Sequence, residues 1–134
     1  MGLLDRLRGV VGRGRVSEVL VDSPDLVVVA EAFDPAEADS AVLARSPHWR
    51  PEEPAVLRHH LVLPPDQVER AAAMLAQDGW VLRPSDRGGD HLHALRVQRL
   101  DALHCAQERS RMAGLGQRLG GDALGWDALQ PRPA

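Results

Sequence analysis

The chain has 134 residues, of which 44% are hydrophobic and 3% are aromatic, and its formal net charge is −3. This length allows one domain with one modest core, built mainly from leucine, valine and alanine. The single cysteine excludes an internal disulfide and a multi-cysteine metal site. Because no apolar run is long enough to span a bilayer and no secretory signal follows the start, we expect a cytoplasmic protein.

The chain begins with a basic arm. Residues 1–15 hold four arginines against one aspartate, and leucines share one side of the short helix that the pattern indicates. A basic amphipathic start is typical of a membrane-surface anchor, but two glycines limit the apolar area that it could bury. We therefore expect no membrane binding.

An acidic extension over residues 16–54 is predicted to follow the arm. Two β-type runs, Val16–Val21 and Leu26–Ala32, are separated by a sequence typical of turns, which predicts a hairpin. Asp34 and Pro35 resemble a capped helix start, so a short helix is predicted over Ala36–Ala44. A proline-rich connection then leads to the next strand.

The charge of this extension suggests a partner class. Residues 17–54 carry nine acids against two arginines, a net charge of −7. An acidic belt disfavours direct nucleic-acid binding and suits a basic protein partner, whereas the alternative is an ordinary solvated surface. Trp49, in the proline-rich connection, is the best candidate for an exposed aromatic contact. The acidic candidates for partner binding are Glu31, Asp34, Glu37, Asp39, Glu52 and Glu53.

The centre of the chain has the clearest pattern. Alternating apolar residues from Val56 to Leu63 predict a strand, which Pro64 and Pro65 end. An apolar stripe at helical spacing over Val68–Ala76 predicts an amphipathic helix. Gly79 is placed for a left-handed helix end, and an apolar run after it predicts the next strand.

The last third repeats these elements. A glycine-rich loop precedes a strand over His91–Val97, a second helix is predicted over Leu100–Leu119, and a final strand over Ala123–Leu129. We expect Cys105 to be a buried structural thiol, since it lies on the apolar stripe of that helix. The stripe is predicted to consist of Ala102, Cys105, Ala106, Met112, Ala113 and Gly116.

From Ala55 onward the order is strand, helix, strand, strand, helix, strand. This order predicts an α+β fold over residues 55–130, a ferredoxin-like βαββαβ sandwich with two helices on one face of a four-stranded antiparallel sheet. The hairpin and short helix would extend it at the N-terminus, and residues 131–134 would form a tail. In this topology the strands of His60 and His93 are central neighbours, and the other sheet face is free. Arg58 and His60 are predicted to lie on that free face.

Residues 55–130 resemble the family of regulator of ribonuclease activity B, the protein inhibitor of ribonuclease E. The resemblance rests on His59-His60 before an alanine-rich helix, on Asp78-Gly79-Trp80-Val81, and on Gln107 followed by Leu124-Gly125-Trp126-Asp127. The family has an aspartate before its terminal Gly-Trp, where this chain has Leu124. The resemblance implies a protein without chemistry of its own that binds a ribonuclease and alters its choice of transcripts.

The histidines allow a second interpretation. His91 and His93 point to one side of a strand, and His60 could lie across from them. With Asp90, these imidazoles could hold zinc, nickel or copper, or they could be polar residues on the free sheet face. No close cysteine or His-x3-His spacing supports a metal site, so we predict no metal and no cofactor. A small dimeric module that holds a ligand or metal among these histidines is the alternative function.

No catalytic motif occurs in the sequence. Paired carboxylates with apolar surroundings, which general acid catalysis needs, are absent, and the glycine-rich loop lacks the lysine of a phosphate-binding loop. We therefore expect a non-enzymatic interaction domain, monomeric or homodimeric, that binds a basic region of an RNA-processing enzyme. The acidic candidates would supply charge, and Trp49, Arg58 and His60 would add contacts.

Overall fold

The computed structural model describes residues 19–133, which form five β-strands, three α-helices and one turn of 3-10 helix. The predicted basic arm of residues 1–15 and the first three residues of the predicted hairpin lie outside this range. No helix among residues 19–133 has the length and apolar character needed to cross a bilayer. The strands are β1 (Leu26–Ala32), β2 (Ala55–Val62), β3 (Val81–Pro84), β4 (His91–Gln98) and β5 (Asp122–Pro131). The helices are α1 (Asp39–Ala44), α2 (Val68–Ala76), which follows the 3-10 turn Pro65–Gln67, and α3 (Ala102–Arg118).

The fold is mixed α+β, with the five strands in one antiparallel sheet in the order β1-β5-β2-β4-β3. The prediction that the strands of His60 and His93 are neighbours is confirmed, because these residues face each other across β2 and β4. The opposite edge of β2 pairs with β5. β2 therefore lies at the centre of the sheet and brings β4 and β5 to either side of it.

The structure replaces the predicted hairpin with a different arrangement. Val19–Val21 form no strand, and the sheet neighbour of β1 is β5, with Ala32 opposite Trp126. Asp25, at a φ of 60°, helps to turn the chain between residues 19–22 and β1. Val19 is thereby buried against Val56 and Leu95, on the sheet face opposite the helices, so burial of this side chain outweighs strand pairing.

All three helices pack on one face of the sheet. The apolar side chains of β2 that face them alternate along the strand with polar side chains on the other face. Trp126 of β5 is fully buried in this core. The predicted stripe of α3 is partly wrong, because Ala106 and Ala113 are exposed and Leu115 is buried instead. The core includes Leu57 and Leu61 of β2, Val42 and Leu43 of α1, Ala71 and Leu75 of α2, and Cys105, Met112 and Leu115 of α3.

Candidate functional site

The far face, defined as the sheet face opposite the helices, carries a polar cluster that pairs β2 with β5. The strand register places Arg58 beside Asp127. Arg58 Nε donates to Asp127 Oδ1 at 2.8 Å and Arg58 Nη2 donates to Oδ2 at 2.6 Å, a bidentate ion pair. His60 Nε2 lies 2.9 Å from Asp127 Oδ1. The prediction that Arg58 and His60 share the free face agrees with this geometry.

The Asp127 carboxylate is ionised in this cluster. Burial alone would raise its pKa, but the hydrogen bonds from Arg58 and His60 hold the pKa below its usual value. The same bond to Asp127 raises the pKa of Arg58. Because an ionised carboxylate only accepts hydrogen bonds, His60 Nε2 must carry the proton that it shares with Asp127. The Nδ1 atom of His60 is then the ring nitrogen left for another partner.

Two further rings surround His60. The ring centroids of His60 and His93 lie 4.4 Å apart, and those of His60 and Phe33 lie 4.9 Å apart, both edge to face. Burial lowers the pKa of His93 to about 4, and the nearby His60 and Arg58 add to the effect, so His93 is neutral at pH 7. The cluster is therefore aromatic and polar at once.

A glycine lets Phe33 reach this cluster. Gly125 of β5 lies opposite His60 and adopts a φ of 140°, a conformation that other residues rarely take. A Cβ atom there would collide with the carbonyl oxygen of Ala32 and with Phe33. Because Gly125 has no side chain, Phe33 lies close over the strand and remains 41% exposed.

These side chains line a far-face cleft of about 470 Å³. Residues around Val19 cover the neighbouring part of the same face, where Asp22 forms an ion pair with Arg83 of β3 at 2.6 Å. The far face is thus only partly free, which corrects the expectation of a fully open sheet surface. The cleft is lined by Phe33, Arg58, His60, Ser85, Asp86, Arg87, His93 and Asp127.

An acidic groove of about 460 Å³ runs beside β1. Three acidic candidates, Glu31, Asp34 and Glu37, line this groove together with Arg45 and the strand residues from Val28. Phe33 lines the groove and the far-face cleft alike. The two concave surfaces are therefore adjacent, with an exposed phenylalanine ring between them.

Other acidic candidates do not belong to this surface. Asp39 is buried at 6% exposure, and its Oδ1 accepts hydrogen bonds from Arg109 at 2.7 Å and from Trp126 Nε1 at 3.1 Å. It joins α1 to α3 and β5, which corrects its assignment as a surface charge. Glu52 and Glu53 are both exposed, and Glu53 forms a salt bridge with Arg50 at 2.9 Å.

Trp49 is also not the exposed contact that the sequence suggested. Its side chain is half-buried and packs against the core, and its ring N–H is buried without a hydrogen-bond partner among the described residues. Gln130, whose amide bonds the backbone of Arg50 and Glu53, holds this loop against β5. Apolar packing of the indole therefore outweighs exposure in the proline-rich loop.

No group of three side chains in residues 19–133 has a metal-binding arrangement. His91 shares β4 with His93, but His60 Nε2 is occupied by Asp127. Cys105 is fully buried, as expected, and burial raises the pKa of its thiol to about 12, so the thiol is protonated at neutral pH.

Asp127, which pairs with Arg58 and His60 in the candidate site, was missed as a site candidate. An aspartate inside an apolar strand is the signal that could have marked it, because a buried carboxylate needs a cationic or hydrogen-bonding partner. Its partner Arg58 is 69 positions away in the chain, so the sequence alone does not pair them.

Comparisons with protein-family models, with curated proteins and with solved structures find no match to this chain.

Proposed function

We propose that this chain is a cytoplasmic, non-catalytic regulatory protein that binds a basic region of a partner protein and modulates it. The partner class, an RNA-processing enzyme, rests on the resemblance of residues 55–130 to the ribonuclease E inhibitor family. The strand order β5-β2-β4-β3, with α2 and α3 on one face, supports the ferredoxin-like layout that belongs to this proposal.

The exposed ring of Phe33 is the observation that carries the proposal. It lies between the acidic groove and the far-face cleft and contacts His60 at its edge. Protein interfaces commonly place an aromatic anchor at the centre and polar groups at the rim. Glu31 and Asp34 supply negative charge beside this ring, and both side chains are exposed.

The expected partner surface follows from these charges. A segment with arginine or lysine side chains would meet Glu31 and Asp34, and an apolar side chain next to them would contact Phe33. Such complementarity chiefly increases the rate of association and the specificity, and salt screens it within about 8 Å at physiological ionic strength. Binding should therefore weaken as ionic strength rises.

RNA cleavage by purified ribonuclease E, measured with increasing amounts of this protein, tests the proposal. The double variant Glu31→Lys with Asp34→Asn changes the surface charge by the Phe33 ring and keeps the Asp34 oxygen that accepts from the Ala36 N–H at 2.9 Å. We expect the wild-type chain to reduce cleavage or shift its sites, and the double variant to require at least about tenfold more protein, which corresponds to ~1.4 kcal/mol of binding.

A matched control changes the same charge elsewhere. Asp66 of the 3-10 turn and Glu69 of the first turn of α2 are exposed and line neither the acidic groove nor the far-face cleft, so Glu69→Lys with Asp66→Asn should act like the wild type. Unaltered cleavage with every protein, or equal loss of effect in both double variants, would contradict the proposal.

The far-face cleft favours a second candidate, a small binding module that holds a ligand on the sheet. Arg58 offers N–H groups that do not bond Asp127, and His60 offers Nδ1. Mass measurement under native conditions separates the two functions. A bound small molecule or metal that is lost in the double variant His60→Ala with His93→Ala would favour this candidate, and a ligand-free chain would exclude it.

A further inference from the structure

β1 forms one edge of the sheet, and β3 forms the opposite one. Within residues 19–133 β1 pairs only with β5, so its other edge has no strand beside it. The backbone N–H and C=O groups on such an edge are a template for another extended chain. A register shift against β5 interrupts β1 between Val28 and Ala30, so the regular part of this edge runs from Ala30 to Ala32 and includes Glu31.

The acidic groove lies along this edge. Its lining includes Val28–Glu31 of β1 and also Arg45, Ser46 and Pro47, which follow α1. Val28 is 42% exposed, so a neighbouring extended segment would cover apolar surface as well as backbone groups. The groove thus offers a strand edge, an apolar side chain and carboxylates within one surface.

The groove binds the guanidinium of Arg45, a residue of this chain. Its Nε donates to Glu37 Oε2 at 2.7 Å, and its Nη2 donates to Glu37 Oε1 at 2.8 Å and to the backbone carbonyl of Glu31 at 2.9 Å. The hydrogen bonds favour the charged form of both partners, since they lower the pKa of Glu37 and raise the pKa of Arg45. One guanidinium therefore hydrogen-bonds to a side-chain carboxylate and to a strand carbonyl at the same time.

We infer that an extended, arginine-bearing segment of the partner protein adds as a strand to the outer edge of β1 and displaces the Arg45 guanidinium from Glu37 and Glu31. This inference rests on the proposed function and names the form in which the basic partner binds. Arg45 is 52% exposed on a short helix end, so it can leave the groove without opening the core. While it is bound there, it competes with the incoming arginine and weakens binding.

Binding of a short fluorescent peptide, in which arginine and threonine alternate, tests the inference by anisotropy with the full-length chain. A twin peptide of the same sequence carries N-methyl groups on alternate backbone nitrogens, which keeps the charge and blocks strand pairing. We expect the first peptide to bind and the twin to lose at least about tenfold in affinity, because main-chain hydrogen bonds supply the affinity in strand addition.

Arg45→Met is the decisive variant, since it frees Glu37 and the Glu31 carbonyl without adding charge. We expect it to bind the alternating peptide about fivefold to tenfold more tightly. Arg45→Lys, which keeps a charge but lacks the planar fork, should lie between Met and the wild type. Circular dichroism of each variant checks that the fold is retained. Unchanged or weaker binding to the folded Arg45→Met variant would overturn the displacement.

The remaining outcomes separate this inference from the proposed function. Equal binding of the two peptides would overturn strand addition, while inhibition of ribonuclease E could still stand on charge alone. Tighter binding by a peptide of this chain's residues 2–16 would make its own N-terminal segment the occupant and overturn the inference. A concentration-dependent dimer whose formation excludes the peptide would make a second copy the occupant, with the same consequence.

Discussion

At the scale of single residues, the far-face cluster is organised by one carboxylate. Asp127, at 7% side-chain exposure, is nearly buried, and a buried charge is stable only when it is paired and hydrogen-bonded. Arg58 and His60 supply three contacts of 2.6 to 2.9 Å. The carboxylate thereby fixes the orientation of the His60 ring, against which Phe33 and His93 pack. We infer that Asp127 positions this surface and does not itself contact a partner.

His59, the neighbour of His60 in the sequence, lies in the core and not in the far-face cluster. His59 points to the helix side of β2, is 1% exposed, and packs edge to face against Trp80 with ring centroids 5.2 Å apart. Its Nε2 is buried without a hydrogen-bond partner among residues 19–133. Burial is the main cause that lowers its pKa to about 3, so the ring is neutral in the folded chain at physiological pH.

This shift predicts a pH dependence of stability. Above the unfolded pKa of about 6.5 the two states bind the same number of protons at His59, so the group adds no pH dependence. Between 6.5 and about 3 only the unfolded state binds the proton, so the free energy of unfolding falls as pH falls. The slope from this residue approaches ~1.4 kcal/mol per pH unit.

Denaturant unfolding between pH 7 and pH 4 measures the effect. His59→Leu, which fills the site with an apolar side chain, should reduce the slope of the acid decline, and His93, whose pKa burial lowers to about 4, should account for a remaining part. Stability at pH 7 should be unchanged or higher, because the change removes a buried unpaired nitrogen. His48→Leu is the control, since His48 is exposed. A decline in His59→Leu as steep as that of the wild type would show that other groups control acid unfolding.

At the scale of elements, the close approach of α3 to β5 decides where side chains are tolerated. Gly116 lies on the buried side of α3, and a Cβ atom there would come 3.1 Å from the backbone carbonyl carbon of Asp122. Gly114, two residues earlier on the same helix, has no atom within 4 Å of that position. Both glycines reduce intrinsic helix propensity, but only Gly116 lies where the packing of α3 on β5 leaves no room for a side chain.

The pair gives a prediction with an internal control. Gly114→Ala should raise the free energy of unfolding by about 0.5–1 kcal/mol, since alanine loses less backbone entropy in a helix. Gly116→Ala should gain less or become destabilising, because the added methyl group must push α3 away from Asp122. Thermal unfolding of both variants measures the difference. Equal stabilisation by both changes would mean that α3 does not approach β5 as closely as described.

Most elements could be predicted from sequence. The alternation around Leu57 and Leu61, the apolar stripe from Val68 and the glycine stop at Gly79 all have local physical causes, and β2, α2 and β3 lie where these patterns predicted. The partner of β1 could not be predicted, because pairing between residues 26–32 and β5 depends on contacts between distant parts of the chain.

At the scale of the whole molecule, the candidate surface combines distant segments around Phe33. β1 supplies Glu31, β2 supplies Arg58 and His60, β4 supplies His93, and β5 supplies Asp127. The sequence indicated that Glu31, Arg58 and His60 were candidates, since charge and strand alternation are local signals. It did not indicate their convergence, because a shift of one residue in any register would turn these side chains to the other face.

The same dependence on tertiary structure explains the wrong candidates. Asp39 has the same side chain as the exposed Asp34, but α1 turns it toward Arg109 and Trp126. Trp49 lies in a proline-rich loop whose composition indicates exposure, yet Gln130 of β5 ties the loop to the sheet. Local composition carries no information about either contact.

We propose that a basic partner docks around Phe33, between the acidic groove and the far-face cleft. Amide hydrogen exchange of the full-length chain, with and without its proposed partner, a basic segment of ribonuclease E, tests this docking. We predict slower exchange in β1 and residues 33–37, with a smaller effect at His60 and His93 and none on the exposed side of α2. Protection on α2 or α3 with unchanged exchange in β1, or no protection anywhere, would contradict it.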